Sequence, residues 1–330
     1  MGRVLRIATF NLENLDDRPG ESPTLQERIG VMRPQLVRLK ADILCLQEVN
    51  GQEQLGHPRR LLALQQMIAG TSYANYHQVS TATESGVGVY DERNLVILSR
   101  FEIIEHQQFK HHYAPPPLYR KVTSVPAEDE AKRVTWERPL LYARINLGLE
   151  RPLHVINLHL KSKRPSSVEG QKLNAYVWRS ASGWAEGFFL SAMRRVGQAL
   201  EARILIDQLF DADEQALIVA CGDLNAESDE VPVEALRGDV ENTGNAALAT
   251  RVMVPCERTI AEPARFSLLH QGTPRMIDHL LVSRGLLAFY AGSEIHNEIL
   301  HDESVAFATD IKYPESDHAP VIAEFHLPDQ

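Results

Sequence analysis

The sequence predicts an α/β protein built as one domain. Apolar, strand-like runs alternate with helical patterns along the 330 residues, of which 44% are hydrophobic and 24% charged. No linker divides the chain, and no internal repeat recurs, which excludes a solenoid. Polar segments of similar character occur near both ends, so the two halves are expected to close one core. We therefore expect a single domain over residues 1–330.

The first half of the chain predicts two strand–helix pairs followed by further strands. VLRIATFNL predicts the first strand, and apolar side chains at helical spacing predict a helix over Leu25–Leu39. ADILCLQEV is apolar almost throughout, which is typical of a strand buried on both faces. RRLLALQQMIA predicts the second helix, and SGVGVYDE and NLVILSR predict a hairpin or two successive strands.

The second half alternates loops and strands around one long helix. Residues 113–133, proline-rich and then charged, predict a loop. RPLLYARINL and PLHVINLHL predict strands, an insertion at about 161–190 follows, and residues 188–209 predict a long helix. ALIVACGDL, MIDHLLVS and APVIAEFHL complete the strands, and residues 257–272 predict a surface loop with one short strand.

The charge distribution is uneven. A net charge of −10 disfavours tight binding of a polyanion to the surface as a whole. Between positions 161 and 203, however, eight basic residues outnumber three acidic ones. Lys161, Lys163 and Arg164 directly follow a strand and are candidates for contacting an anion. The same segment carries four aromatic side chains that either stack on bases or pack against the helix: Trp178, Trp184, Phe188 and Phe189.

The chain is expected to be cytoplasmic. Its first residues, MGRVLRIATF, lack the apolar stretch of a secretory signal, and no apolar run has the length of a membrane span. Of three cysteines, Cys45 and Cys221 lie in apolar strand-like runs, which predicts buried free thiols in a reducing compartment. Nothing in the sequence indicates an obligate protein partner.

Five short segments carry the side chains best suited to chemistry. They are FNLENL at 10–15, LQEV at 46–49, NLHLKS at 157–162, GDLNA at 222–226 and SDHAP at 316–320. The last four lie at or just past one end of an apolar, strand-like run. Because strand ends at one edge of a sheet gather polar groups from distant parts of a chain, we expect these segments to meet in space.

Such a collection suits the hydrolysis of a phosphate ester. That reaction needs a divalent cation, a base that orients or deprotonates water, and donors that hold the phosphate. Magnesium takes oxygen ligands and keeps several waters, so one or two carboxylates suffice. A carboxylate at Glu48, ending a buried strand, is costly unless a cation or another partner meets it. Asp223 and Asn225 follow a sharp turn at Gly222, although D-x-N alone is commonly only a turn.

The ordered segments, from Asn11 to His318, resemble the endonuclease/exonuclease/phosphatase superfamily, especially its deoxyribonuclease, sphingomyelinase and inositol phosphatase branches. No single motif is specific, but the ordered set is. The resemblance implies a four-layer α/β/β/α sandwich, in which two packed, mostly antiparallel sheets are flanked by helices. It also implies a Mg²⁺- or Mn²⁺-dependent hydrolase acting on phosphate ester bonds, with its site at one sheet edge.

The same resemblance implies a role for each matching residue. The catalytic set is His159, Asp223, Asn225, Asp278 and His318, and the metal set is Glu48, Asn11 and Asp317. In this scheme Asp223 activates water, and Asp278 orients His318, which contacts the phosphate.

Three further positions are candidates for contacting substrate. Glu92 resembles the glutamate that pairs with the first histidine in the deoxyribonuclease branch, and Arg138 resembles a phosphate-contacting arginine at a strand start. Lys161 follows His159 in the same segment. For Glu92 and Arg138, a plain surface charge is an equally good interpretation.

The sequence leaves the substrate open. A nuclease acting on DNA or RNA is the first hypothesis, and an enzyme for a small phosphorylated metabolite or a lipid headgroup is the second. An inactive binding module of the same fold is the third, although the intact set of acids, amides and histidines argues against it. Histidine in NLHLKS, where apurinic endonucleases carry tyrosine, disfavours abasic-site repair.

Overall fold

Two six-stranded β-sheets form the centre of the structure, a computed structural model that describes residues 2–309 and 311–328. The strands in these ranges are β1 (Arg3–Leu15), β2 (Ile43–Val49), β3 (Gln52–Gln54), β4 (His57–Arg60), β5 (His77–Ser80), β6 (Asn94–Ser99), β7 (Ile103–Phe109), β8 (Leu118–Tyr119), β9 (Lys132–Arg133), β10 (Leu140–Ile145), β11 (Leu153–His159), β12 (Leu217–Asp223), β13 (Met253–Pro255), β14 (Leu268–His270), β15 (Thr273–Arg275), β16 (Asp278–Ser283), β17 (Tyr290–Ile295) and β18 (Val321–Leu327). The α-helices are α1 (Leu25–Leu39), α2 (Leu62–Ile68), α3 (Ala181–Ala212), α4 (Val231–Arg237), α5 (Val240–Thr243), α6 (Arg284–Leu287) and α7 (Glu303–Ala308).

The strand order places both ends of the chain in the first sheet. That sheet runs β17-β18-β1-β2-β6-β5, and the second runs β13-β16-β12-β11-β10-β7. Within these two sheets, β1 with β2 and β11 with β12 are parallel, and the other neighbouring pairs are antiparallel. The mostly antiparallel pairing expected from the sequence is confirmed.

Three apolar clusters arrange these elements in four layers. The central cluster joins inward side chains of both sheets, such as Ile43 of β2 and Val219 of β12. A second cluster packs α1 and α2 on the outer face of the first sheet, and a third packs α3 and α4 on the outer face of the second. Successive residues of β2 alternate between clusters, since Cys45 faces the other sheet and Leu44 faces the helices. Burial of β2 on both faces is therefore confirmed.

A buried amide fastens the two sheets to each other near their site edge. Asn157 of β11 donates hydrogen bonds to the carbonyl oxygens of Leu46 and Val96 in the first sheet, at 3.0 and 2.9 Å. Its own oxygen accepts from the Gln47 amide at 2.7 Å. Asn157 and Gln47 are both fully buried, so these polar groups depend on one another for hydrogen bonds.

Two predicted elements differ from the structure, and two strands of the large sheets were not predicted. SGVGVYDE forms turns rather than a strand, because its glycines at positions 86 and 88 adopt left-handed φ angles of 70° and 82°. The partner of β6 is instead β5, which precedes that segment. The long helix begins at Ala181, capped by the Ser180 hydroxyl, so the second part of the predicted insertion is helical. The strands β7 and β17 were not predicted, because their exposed faces carry charged and small residues.

Two glutamates of α3 hold the loop predicted over residues 113–133. Glu201 is fully buried and accepts hydrogen bonds from the backbone N–H groups of residues 111, 112 and 113. Glu186 accepts from the backbone N–H groups of Val122 and Thr123 and from the Tyr119 hydroxyl. The loop, which contains the short β8–β9 ladder, is thereby tied to the helix mainly through its main chain.

The prediction that Cys45 and Cys221 are buried free thiols is confirmed. Cys45, Cys221 and Cys256 are free and buried. In the described ranges, no helix combines the length and apolar character required to cross a membrane.

Gly222 is the residue on which the turn into the site depends, and this generates a stability prediction. Its φ is +140°, and a Cβ there would overlap the carbonyl oxygen of Leu158 on the adjacent strand. We expect Gly222→Ala to lower the free energy of unfolding by about 3 kcal/mol, because strain and overlap add. Gly244→Ala is the matched control: its φ is +64°, but no atom lies within 4 Å of the added Cβ. Urea denaturation should show a loss of only about 1 kcal/mol for that control; equal losses would contradict the prediction.

Candidate active site

Strand direction brings the five segments to one edge of the two sheets. The parallel strands β1 and β2 of the first sheet end there, as do β11 and β12 of the second. The antiparallel strands β16 and β18 begin at the same edge, because they run against β12 and β1. In register, His159 is opposite Asp223, and Asp223 is opposite Asp278. The expectation that strand ends gather these residues is met.

Asp223 is the centre of a hydrogen-bonded group that spans both sheets. Its Oδ2 accepts from the side-chain amides of Asn11, at 3.1 Å, and Asn225, at 3.0 Å. Its Oδ1 accepts from the Asn225 backbone N–H at 2.9 Å. Burial raises the pKa of Asp223 to about 7, and the nearby carboxylate of Asp278 adds to this, while the His318 cation opposes it. Asp223 can therefore change protonation state near neutral pH.

His318 and Asp278 form a buried ion pair beside this group. The Nδ1 of His318 donates to Asp278 Oδ2 at 2.7 Å, and the same oxygen accepts from the Ser267 hydroxyl at 2.7 Å. Burial opposes charge on the imidazole, but the carboxylates of Asp278, Asp223 and Asp317 outweigh it and raise the pKa of His318 well above its usual range. The ring is thus held as a cation, with Nε2 4.0 Å from Asp223 Oδ2.

His159 lies in the opposite electrostatic environment. It is buried, and burial together with the cations of Arg138 and Arg93 lowers its pKa well below the usual range. Its Nε2 lies 3.3 Å from Asp223 Oδ2 and 3.5 Å from Glu48 Oε1. Its Nδ1 is buried and has no hydrogen-bond partner within the described part of the chain. A neutral His159 can therefore donate one proton toward the carboxylates.

Three carboxylates form an acidic group beside Asn11. Glu13 Oε2 accepts from the Asp317 backbone N–H at 3.1 Å, and Glu48 Oε2 accepts from the Asn14 backbone N–H at 3.0 Å. Burial raises the pKa of Asp317 well above its usual range, and Glu13 and Glu48 contribute by repulsion. The buried Oδ1 of Asp317 has no hydrogen-bond partner among residues 2–309 and 311–328. These oxygen atoms are the ligands that a hard divalent cation prefers.

A second grouping is a poorer candidate for a metal. Asp223, Asp278 and His318 each place one ligand atom within 4.8 Å of the others. However, Asp278 Oδ2 already accepts from His318 at 2.7 Å, and Asp223 accepts three hydrogen bonds from Asn11 and Asn225. The triad also includes an imidazole held as a cation, whereas Glu13, Glu48 and Asp317 offer oxygen atoms only.

These residues line one open cleft of about 1210 Å³. Its walls also carry Arg138 and Arg93, together with Lys163 and Arg164 of the basic segment. Arg138 is buried, and its Nη1 has no hydrogen-bond partner among the described residues, so the guanidinium can bind an anion in the cleft. Its candidacy for substrate contact is compatible with this position.

The structure does not bring Glu92 to His159. Glu92 is exposed and pairs with Arg18 at 3.0 Å. Its neighbour Arg93 has a left-handed φ of 61° and lines the cleft instead. Lys161 is half-buried and is absent from the cleft wall; its ammonium donates to the Ser162 hydroxyl at 3.2 Å.

Sequence reasoning missed Glu13 and Ser267. Glu13 lies two residues after Asn11 in the same strand, and period-2 spacing was the available signal for a shared face. Ser267 supports Asp278 from within residues 257–272, which were predicted to be a surface loop with one short strand, and no local motif marks it. Glu257, in that same predicted surface loop, is fully buried and accepts from His279 Nδ1 at 2.6 Å. His279 Nε2 donates to Ala226 at 2.8 Å and so supports the turn that follows Asn225.

A layered sandwich with this cluster at one sheet edge defines a hydrolase fold that acts on phosphoester bonds. The chain belongs to the Endonuclease/Exonuclease/phosphatase family, whose sequence profile matches residues 8–318.

Solved structures share the fold at low sequence identity. Truncated Caenorhabditis elegans TDP2 superposes with a TM-score of 0.58 at 16% identity, with 98% of each chain covered. Humanized D. rerio TDP2 gives 0.56 at 15% identity, again over 98% of each chain. An AP endonuclease from Archaeoglobus fulgidus gives 0.51 at 17% identity, covering 98% of this chain and 100% of that one. The search of curated proteins found no significant match.

The raised pKa of Asp223 generates a prediction about stability. Its pKa is about 7 in the folded chain against 3.8 for an ordinary aspartate, so the folded state keeps a proton that the unfolded state releases. The free energy of unfolding should therefore fall as pH rises from about 4 to 7, by at most about 1.4 kcal/mol per unit of pKa difference. In Asp223→Asn this part of the decline should disappear. Urea denaturation in EDTA across that range tests it, with the exposed Asp229→Asn as control; parallel pH profiles for all three proteins would refute it.

Proposed function

We propose that this protein is a Mg²⁺- or Mn²⁺-dependent phosphodiesterase, and that DNA or RNA is its first candidate substrate. One observation carries the proposal: Asp223, held by Asn11 and Asn225, lies between a neutral histidine and a cationic one in an open cleft. A base beside a cationic proton donor is the arrangement that attack of water on a phosphate requires.

Asp223 is the proposed general base. A pKa of about 7 lets it accept a proton from water near neutral pH, whereas an ordinary aspartate would be too weak a base. The amides of Asn11 and Asn225 fix the carboxylate, so it is oriented before substrate arrives. The proton of the attacking water would pass to Asp223 as the new phosphorus–oxygen bond forms and the leaving oxygen departs.

The two histidines and Arg138 hold the phosphate in this proposal. His318, kept cationic by Asp278, donates from Nε2 to a phosphate oxygen or to the leaving group. His159, kept neutral by burial, supplies a further N–H donor. Arg138 contributes a buried guanidinium with unused donors. Negative charge that builds up during attack therefore meets donors that need no reorganisation.

Glu48, Asp317 and Glu13 are proposed to hold the cation, with Asn11 beside them. The fit rests on the buried Oδ1 of Asp317, which accepts no hydrogen bond from the described residues, and on an all-oxygen donor set. A bound Mg²⁺ or Mn²⁺ would supply Lewis-acid stabilisation of a phosphate oxygen.

The small-ester alternative is favoured by one feature of the cleft. Glu227, Asp229 and Glu230 line its wall close to Asn225, and they would repel a long polyanion. Glu230 is partly offset, since it pairs with Lys163 at 2.5 Å, and Glu227 pairs with Arg275 at 2.6 Å. This pairing is why a polynucleotide remains the first candidate.

We also propose that the chain is one catalytic domain and that it acts in the cytoplasm. Three buried free thiols support a reducing compartment, and a core shared by both sheets supports a single unit. The proposal needs no obligate protein partner.

Loss of the base tests the proposed chemistry. We expect Asp223→Ala to lower kcat at least about 100-fold, because proton transfer by a positioned base contributes on the order of 10²–10⁴-fold. The assay compares single- and double-stranded DNA, RNA, bis(p-nitrophenyl) phosphate and phosphorylated metabolites, each with Mg²⁺ or Mn²⁺. Exposed Glu214→Ala serves as the control for nonspecific loss. Full activity of Asp223→Ala would contradict the proposed mechanism. Turnover of small esters alone would favour the enzyme for small phosphorylated molecules over the nuclease.

Cation binding should appear as thermal stabilisation. Mg²⁺ or Mn²⁺ should raise the Tm of the wild type, since a ligand at about 100 times its Kd adds roughly 2.7 kcal/mol. Asp317→Asn should lose most of this rise and should melt higher than the wild type in EDTA, because a buried repelling acid is gone. Glu214→Gln should behave like the wild type in differential scanning fluorimetry. An unchanged cation response in Asp317→Asn would remove this residue from the site.

A further inference from the structure

Exposed aromatic side chains are concentrated beside the cleft. Among the side chains that the structure describes, every large aromatic one that is exposed lies between positions 176 and 189. These four define what we call the aromatic surface: Tyr176, Trp184, Phe188 and Phe189. Their exposed fractions are 78%, 46%, 38% and 49%. Such a concentration on a folded protein marks a binding surface.

The outer face of the first turns of α3 has no charge to explain this exposure. Trp184 and Phe188 are four residues apart and touch edge to face, with ring centroids 4.7 Å apart. Phe189 touches Tyr119 in the same way at 5.1 Å. The acid in these turns, Glu186, points inward and holds the loop of residues 119–123. An edge-to-face contact covers a face of only one ring in each pair, and Trp184, Phe188 and Phe189 stay 38–49% exposed, so these contacts leave ring surface open to solvent.

The aromatic surface is continuous with the cleft. Tyr176 lines the cleft wall together with Ser162 and Arg164. From there, the Ser166 N–H donates to Gly187 at 2.9 Å, in the turn of α3 that carries Phe188. A ligand bound at the phosphate site can therefore extend past Tyr176 toward α3.

The charges around the surface suit a polyanion. The segment from 161 to 203 is basic, on a chain with a net charge of −10. The Lys172 ammonium lies 4.8 Å from the Trp178 ring centre, and Arg179 is exposed next to the first turn of α3. Cationic side chains interleaved with aromatic rings are the arrangement that binds a single strand of nucleic acid.

The distribution of exposed aliphatic side chains separates a nucleic acid from a lipid surface. Leu118, Val122, Val125, Leu173 and Val177 lie near the aromatic surface, but most of the exposed aliphatic residues are scattered elsewhere over the protein. Among the described side chains, aliphatic exposure is thus general, whereas exposure of large aromatic rings is confined to this region. Ring faces bind bases, and only unpaired bases offer their faces for stacking.

We propose that the aromatic surface stacks bases of a single-stranded polynucleotide whose phosphate occupies the cleft. The inference rests on the proposed phosphodiesterase function, and it names the substrate class of that site. Tyr176 takes the base nearest the cleft, and Trp184 and Phe188 take bases further along the strand. A duplex is disfavoured, because its bases are already stacked.

Binding assays on the 330-residue chain with Asp223→Asn, in which turnover is blocked, test the inference. Fluorescence anisotropy would give the Kd of a labelled oligothymidylate, of oligouridylate and of a duplex of equal length over a salt series. Trp184→Ala and Phe188→Ala should each raise the single-strand Kd by about 5- to 100-fold. Trp184→Phe and Phe188→Tyr should retain binding, since they keep a ring face. Leu200→Ala is the matched control: it is 50% exposed on the same helix, about four turns further along.

Three outcomes would overturn the inference. The first is a single-strand Kd that is unchanged in both alanine variants, and the second is equal affinity for the duplex. The third is that the alanine variants lose binding to anionic phospholipid vesicles but keep their affinity for the oligonucleotides, which would assign the surface to lipid. Hydrolysis of bis(p-nitrophenyl) phosphate by the wild type tests the proposed function separately. If that hydrolysis fails while the alanine variants lose single-strand affinity, the surface stands and the phosphodiesterase proposal falls.

Discussion

The candidate site depends on the fastening of the two sheets to each other. Asn11 and Glu48 belong to one sheet, whereas His159, Asp223 and Asp278 belong to the other. An apolar interface alone resists sliding weakly, because it has no directional contacts. The Asn157 side chain adds three directional hydrogen bonds across the interface. It lies two residues before His159, and one of its partners, Gln47, directly precedes Glu48. A shift of the sheets would leave these buried amide groups unpaired, which is costly.

Burial acts on the two histidines with opposite results. Both are almost fully enclosed, and enclosure disfavours charge on each ring. His318 contacts Asp278 directly, and its neighbours are carboxylates, so attraction exceeds the cost of burial. His159 has cationic neighbours in Arg138 and Arg93, and its carboxylate contacts are longer. Two identical side chains thus have different protonation states, because the charges around them have opposite signs.

Much of this arrangement could be predicted from the sequence, and the failures have physical causes. Strand ends such as those at Asp223 and Glu48 are marked by long apolar runs, and their direction fixes the edge at which they meet. The strand β7 was not predicted, because an edge strand with exposed polar side chains lacks an apolar pattern. Ser267 and the buried partner of His279, Glu257, escaped because their roles come from contacts between residues distant in the chain. Local patterns carry no information about such contacts.

Glu186 and Glu201 have a consequence for how this protein can change over evolutionary time. Each holds the loop of residues 111–123 largely by accepting hydrogen bonds from main-chain N–H groups. Every residue type except proline offers that group, so the loop's shape is nearly independent of which side chains it displays. Substitutions along its outer surface are therefore free to accumulate without altering its path, while the two glutamates on α3 are not. The loop is a place where related chains can acquire new surface chemistry while the helix that holds it stays unchanged.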